Sequence, residues 1–178
     1  MNIKNPKSIE TRRCLTQALL IIMKKKNIQD ITISELCSKA GVSRTGFYRN
    51  FNYKEDLIYE HMKFIYSEYT NCLTSKKNLS SFEASESFFR YFLQYKDFLS
   101  SLIRSNIQTL LLDIFVENLK DMENLLGINK GQEIDNLLHR QFTAGGLYQL
   151  LITWVKNNCE PDIKVMAKAV ENINAYKL

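Results

Sequence analysis

The chain has 178 residues, of which 45% are hydrophobic and 24% charged, with a formal net charge of +5. That balance is ordinary for a folded globular protein and leaves ample chain for a sizeable core. It excludes a membrane span, because no stretch of about 18 apolar residues occurs, and the apolar run Leu19 to Met23 falls short of a secretory signal core, so the expected location is cytoplasmic.

In chain order, the first expected helix carries Leu15, Ala18, Ile22 and Met23 on its apolar face and ends in Lys24-Lys25-Lys26, cations that complement the negative end of a helix dipole. Two short helices joined by a tight turn follow. Ile33, Leu36 and Ala40 share one face of the first. Gly41 stands where a helix-ending residue with positive φ is expected, Val42 plugs the gap between the helices, and Ser43 caps the second. Phe47 and Phe51 lie four apart and point inward with Val42, which leaves Arg44, Thr45, Gly46, Tyr48 and Arg49 on the outer side. A glycine inside a helix costs about 1 kcal/mol relative to alanine, a cost consistent with close approach of the backbone to a docked surface. This is the layout of a helix-turn-helix DNA reader. Charge points the same way. Through Asp56 there are eleven Lys or Arg against five Asp or Glu, whereas the remainder is close to neutral. The plain alternative is a small helical subdomain with a solvated basic face and no nucleic acid.

The phrase Gly41-Val42-Ser43-Arg44, then Phe47-Tyr48-Arg49-Asn50-Phe51 and Lys54-Glu55-Asp56-Leu57, with Thr11-Arg12-Arg13 upstream, resembles the TetR family of bacterial transcriptional regulators over roughly residues 8 to 60. The resemblance implies an all-α chain of about nine helices. An N-terminal three-helix helix-turn-helix DNA-binding domain would occupy 1–52, and a helical regulatory and dimerisation domain 53–178. It implies that Arg44 and Thr45 face base edges in the major groove, that Tyr48 and Lys54 hold phosphates, and that Thr32 and Ser34 contact the DNA backbone. Arg49 and Asn50 fit either job, and Ser43 and Gly46 lie within the same docking surface. A bidentate arginine on guanine is worth about 1–3 kcal/mol of discrimination, whereas phosphate contacts fix register without reading sequence. The chain departs from the family pattern at two places. The family has Gly then Thr before the aromatic, and here the order is Thr45-Gly46, which changes the side chain offered to the operator. The family also favours glycine after the first helix, where this chain has Asn27, a residue that tolerates the left-handed cap conformation.

Beyond this head, Tyr53 to about Thr74 reads as one long helix and Ser75 to Ser81 as a polar linker. Ser80 or Ser81 starts a helix through Phe88, Phe89 and Phe92, and a break near Tyr95 to Asp97 leads to another with Leu102 and Ile103. Leu110 to Leu126 forms the next, closed by Gly127 and a turn at Ile128 to Gly131. Gln132 to about Asn157 is the longest late helix, and Pro161 opens a last one with Ile163, Met166, Ala167, Val170 and Ile173 at helical spacing. Gly145 and Gly146 inside the long helix cost about 2 kcal/mol together, which points to close helix approach or room for a ligand. The two late helices resemble the pair through which the family dimerises, with Gly146, Leu150, Trp154, Met166 and Val170 as candidate contacts. A dimer also suits a reader of two half-sites about 34–36 Å apart. The alternative is that these helices close the monomer's own core. The middle of the chain is rich in aromatics, which can line a small-molecule cavity. The candidates are Phe88, Tyr91, Phe92, Tyr95, Phe115, Phe142 and Tyr148, with Arg104 and Gln108 for polarity. An ordinary aromatic core is the competing explanation.

No catalytic site, metal or cofactor is expected. His61 and His139 are the only histidines and neither has neighbours that suggest a triad. Cys14, Cys37, Cys72 and Cys159 match no zinc pattern and are expected as reduced thiols. The expected function is a homodimeric, sequence-specific transcriptional regulator, a repressor released from double-stranded operator DNA by an unknown small-molecule effector. The alternative is a protein that keeps the fold and works as a coactivator through a protein partner, with the Thr45-Gly46 order as its foothold.

Overall fold

A computed structural model describes residues 5–74, 79–126 and 133–175. Those residues form nine α-helices and one short 3-10 turn at Ile28–Asp30, with no strand among them. The helices are α1 (Pro6–Met23), α2 (Ile33–Ala40), α3 (Arg44–Tyr48), α4 (Lys54–Thr74), α5 (Ser81–Leu93), α6 (Lys96–Arg104), α7 (Leu110–Leu126), α8 (Glu133–Lys156) and α9 (Ile163–Ala175). The expected linker from Ser75 and the turn from Gly127 to Gly131 lie at least partly outside the described residues.

Local chemistry sets most boundaries. Pro6 opens α1 behind Asn5, whose side chain accepts from Lys7 N at 3.0 Å. Thr32 caps α2 by accepting from Glu35 N at 3.1 Å. Ser80 and Glu83 form a reciprocal capping box at the start of α5. Pro161 does not open α9. Asp162 does, its Oδ1 accepting from Lys164 N at 2.8 Å and Val165 N at 3.1 Å. Asn27 takes no left-handed cap either. Its backbone is extended at φ −71°, and its side chain instead accepts from Arg104 Nε at 3.2 Å.

The head closes over Leu15, Leu19, Leu36, Phe47 and Phe51, all buried. In the body, α5 packs on α9, α7 on α4 and α8, and α6 on α8. Rings meet there at close range: Tyr66 and Phe115 at 4.5 Å, Phe88 and Phe92 at 4.8 Å, Phe89 and Trp154 at 5.3 Å. Helix α4 belongs to both parts, packing on α1 at one end and on α5 and α7 along its length.

A second joint clamps the end of α6 to the head. The Arg104 guanidinium donates to the Met23 carbonyl as well as to Asn27. The buried Ile28 N–H donates to Ser105 Oγ at 3.1 Å, and Gln29 Nε2 donates to the Ser105 carbonyl at 2.7 Å. Arg104 therefore serves as a joint residue.

Candidate nucleic-acid interface and body cavity

The α2–α3 turn is built from its backbone outward. Gly41 ends α2 at φ +66°, and Val42 N donates to Cys37 O at 3.0 Å. Ser43 Oγ then accepts from Gly46 N at 3.0 Å and starts α3. Phe47 is fully buried and stacks against Phe51 at 6.0 Å. That anchor holds Arg44, Thr45, Tyr48 and Arg49 exposed on the opposite side of α3, while Thr32 and Ser34 are exposed at the start of α2. Tyr53, unassigned from sequence because it read as the first residue of a long amphipathic helix, is exposed in the turn ahead of α4.

Three residues expected at this surface are half-buried and also make contacts inside the head. Gly46 is half-buried, and a Cβ there would lie 2.9 Å from Val42 Cγ1 and 3.3 Å from Ser43 Oγ. The missing side chain makes room for the turn rather than for a docked surface. Asn50 accepts from Ser8 Oγ and donates to Gly46 O at 2.8 Å, tying α1 to α3. Lys54 Nζ donates to Ile31 O at 2.8 Å and Gln29 O at 3.1 Å, so its ammonium secures the turn before α2. Arg12 belongs to the same scaffold. It pairs with Glu60 and lies over the Phe51 ring at 4.7 Å.

The body holds a cavity of 680 Å³ between α4, α5, α7, α8 and α9. Of the aromatics expected to line one, Phe88, Phe115 and Phe142 meet there. The others do not. Phe92 is fully buried in the core, Tyr91 donates its hydroxyl to Ile65 O at 2.8 Å, and Tyr148 packs edge-on against Phe115 at 6.3 Å. Gln108 lies away from the wall, its Oε1 buried without a partner among the described residues. Tyr95 lines a separate hollow of 500 Å³ at the joint, beside His61. His61 packs edge-on to Phe98 at 5.1 Å, and burial pushes its pKa down, which favours the neutral imidazole. The cavity's α4 wall is Tyr66, Tyr69 and Leu73. Their helical spacing was visible in the sequence, but nothing there separated a cavity wall from ordinary core.

The expected dimer contacts need correction. Trp154 is 1% exposed, packs on Phe89 and donates its indole N–H to Pro161 O at 2.7 Å. Met166 and Val170 are buried as well. These three side chains pack into the chain's own core, with Val170 also at the cavity wall. Exposed instead are Leu138 and Phe142 on α8 and Val165 and Ile173 on α9. Gly145 and Gly146 lie further along α8, and a Cβ at either would meet nothing within 4 Å. No approach among the described residues therefore explains the two glycines. Leu150 is half-buried and lines the cavity beside Gly146.

Residues 15–60 match the family described as bacterial regulatory proteins, tetR family, and residues 79–175 match the transcriptional regulator C-terminal region TetR_C_8. No curated protein sequence matches the chain. Among solved structures, the TetR transcriptional regulator from Streptococcus agalactiae is similar with a TM-score of 0.66 at 15% identity, covering 96% of this chain and 97% of that one. FadR from Bacillus subtilis, solved in complex with stearoyl-CoA, gives 0.59 at 17% identity over 93% and 98%. The dihydroxyacetone kinase operon activator DhaS gives 0.61 at 14% identity over 93% and 94%. At these identities the likeness is one of fold. The sequence matches span both the reader and the body, and the chain belongs to the TetR family of bacterial regulatory proteins, a DNA-binding transcriptional regulator rather than an enzyme.

Proposed function

We propose that the chain is a homodimeric repressor, in which residues 1–52 read operator DNA and residues 53–178 bind a small molecule and a second copy. The observation that carries the reading is the division of α3, with Phe47 fully buried and Arg44, Thr45, Tyr48 and Arg49 exposed. In this reading Arg44 and Thr45 address base edges. Tyr48 and Arg49 hold phosphates, joined by Thr32, Ser34 and Ser43. Gly46, Asn50 and Lys54 support that surface from behind. Helix α4 runs from the head at Lys54 to the cavity wall at Tyr66 and Tyr69. A ligand that favours one position of α4 shifts the pair of reading heads away from the groove spacing, which is release by a biased equilibrium.

The test is binding of the purified full chain to the DNA upstream of its own gene at several salt concentrations. The expected result is tighter binding there than to random DNA. Arg44→Ala should cost about 1–3 kcal/mol of discrimination at one base pair without unfolding the head. Equal affinity for upstream and random DNA would remove the specific-reader reading. Transcription from that DNA reads the sign of regulation, a separate property, since DhaS shares the fold and is named an activator.

A further inference from the structure

Helix α3 has only five residues, so its direction must be fixed by what it packs against rather than by its own backbone. Phe47 anchors it from beneath. A second anchor reaches it from α1. The Arg12 guanidinium pairs with Glu60 Oε1 of α4, donates to Asn50 O at 3.4 Å, and lies over the Phe51 ring at 4.7 Å. Asn50 and Phe51 form the turn that leaves α3, and both are tied back to it. Asn50 Nδ2 donates to Gly46 O at 2.8 Å, and Phe51 N donates to Phe47 O at 2.9 Å. On either side of Glu60, α4 is fastened to α7. The Tyr59 hydroxyl donates to Glu117 Oε1 at 3.1 Å, and Lys63 Nζ pairs with Glu117 Oε2 at 2.9 Å. The same stretch of α7 supplies Phe115 and Asn118 to the body cavity.

We propose that Arg12 is a positioning residue of the reader, and that through Glu60 it makes the direction of α3 depend on the place of α4. This rests on the assignment of α3 as the reading helix and goes beyond it. Arg12 does not belong to the reading surface itself. Its side chain is 19% exposed and turned to partners within the chain, whereas Arg44 and Arg49 stand exposed on α3. A lone ion pair at a surface contributes little. A planar guanidinium held at once by a carboxylate, a carbonyl and a ring is directed as well as attracted, a geometry that a lysine ammonium does not reproduce. A displacement of α4 moves Glu60, and the guanidinium follows its carboxylate only by leaving Asn50 O and the Phe51 ring. The base of α3 then loses one of its two anchors.

The experiment measures the affinity of the full chain for two duplexes, one that the parent protein selects from a random pool and one of scrambled sequence. The readout is the ratio of the two affinities, taken where each variant keeps the parent's helical content. Arg12→Met and Glu60→Met should each lower that ratio at least about threefold, because a misdirected α3 loses base contacts while attraction to phosphates remains. The two variants change the net charge in opposite directions. An effect of charge alone would therefore weaken all DNA binding in one, strengthen it in the other, and leave both ratios unchanged. The double variant should lose less than the product of the two single losses. Arg13→Met removes the same charge from the exposed neighbour that pairs with Glu10, and should keep the ratio within about twofold of the parent's. A merely structural role for Arg12 would lower the urea midpoint and leave the ratio of the folded protein intact. If Arg12→Met fails to fold, Glu60→Met alone decides. An unchanged ratio in a folded Arg12→Met or Glu60→Met protein, or an equal loss in Arg13→Met, overturns the inference and leaves the reader standing. A parent that selects no duplex removes the specific reader as well.

Discussion

Gly46 shows how the turn and the reading surface share one residue. Alanine in a helix is favoured over glycine by about 1 kcal/mol, so propensity alone argues for Gly46→Ala. The added Cβ, however, would lie 2.9 Å from Val42 Cγ1 and 3.3 Å from the hydroxyl that caps α3. A valine methyl next to the backbone has little freedom to retreat, and overpacking costs about 1–3 kcal/mol. Gly46→Ala is therefore expected to lower stability by about 1 kcal/mol in urea unfolding. The double variant Val42→Ala with Gly46→Ala should lose less than the sum of the two singles, because the crowding they share is gone. A Gly46→Ala protein more stable than the parent would show that the crowding is absent. Placing Gly46 outward from sequence failed for a geometric reason. A five-residue helix makes about one and a half turns, too few for its faces to be read from spacing. Lys54 and Asn50 have partners inside the head that spacing could not show either. Both are polar, and the groups that hold Lys54 are backbone carbonyls 23 and 25 positions away, to which residue type gives no clue.

Helices were the most legible level, because their signals are local. Gly41, Ser43, Ser80 and the 3.6-residue periodicity placed α2, α3, α5 and α7 close to where they stand. The joint between α6 and the head was not legible. Arg104 stood among aromatics and read as a polar group for a ligand, yet it clamps α6 to the end of α1. Ser105 carries no periodic signal, and its partner Ile28 is 77 positions away. It is nonetheless the more consequential of the two. Ser105 is buried, and its hydroxyl is the acceptor recorded for the buried Ile28 N–H. Ser105→Ala leaves that donor unpaired, which costs about 1–3 kcal/mol. Arg104→Ala frees acceptors at a more exposed site, where water can replace the lost donor, and should cost less. Urea unfolding of the two variants ranks them, and faster amide exchange at Ile28 in Ser105→Ala locates the loss. If Arg104→Ala is the more damaging, the clamp rests on the guanidinium.

For the whole molecule, the apolar spacing of α8 and α9 marked buried faces correctly but could not say what buries them. Trp154, Met166 and Val170 are buried by the chain itself, which leaves the exposed Leu138, Phe142, Val165 and Ile173 as the candidates for a partner. Phe142, 69% exposed, Gly146 and Ile173 all line one cavity. Scattered apolar side chains on a surface are ordinary, but a contiguous patch marks an interaction site. Two helix glycines with open space beyond them let another backbone come close. A second copy seated there would also cover the cavity's rim, so ligand occupancy and pairing become linked, and by linkage each must change the affinity for the other equally. Phe142→Glu places a charge at the centre of this face while disturbing little of the chain's own packing. It should reduce the sedimenting mass from that of two chains to that of one at micromolar concentration, with helical content unchanged. Affinity for a two-half-site operator should fall by more than about tenfold, because the second head no longer arrives with the first, while the weak binding to a single half-site persists. A Phe142→Glu protein that still sediments as a dimer would move the interface off α8, and with it the reason for Gly145 and Gly146.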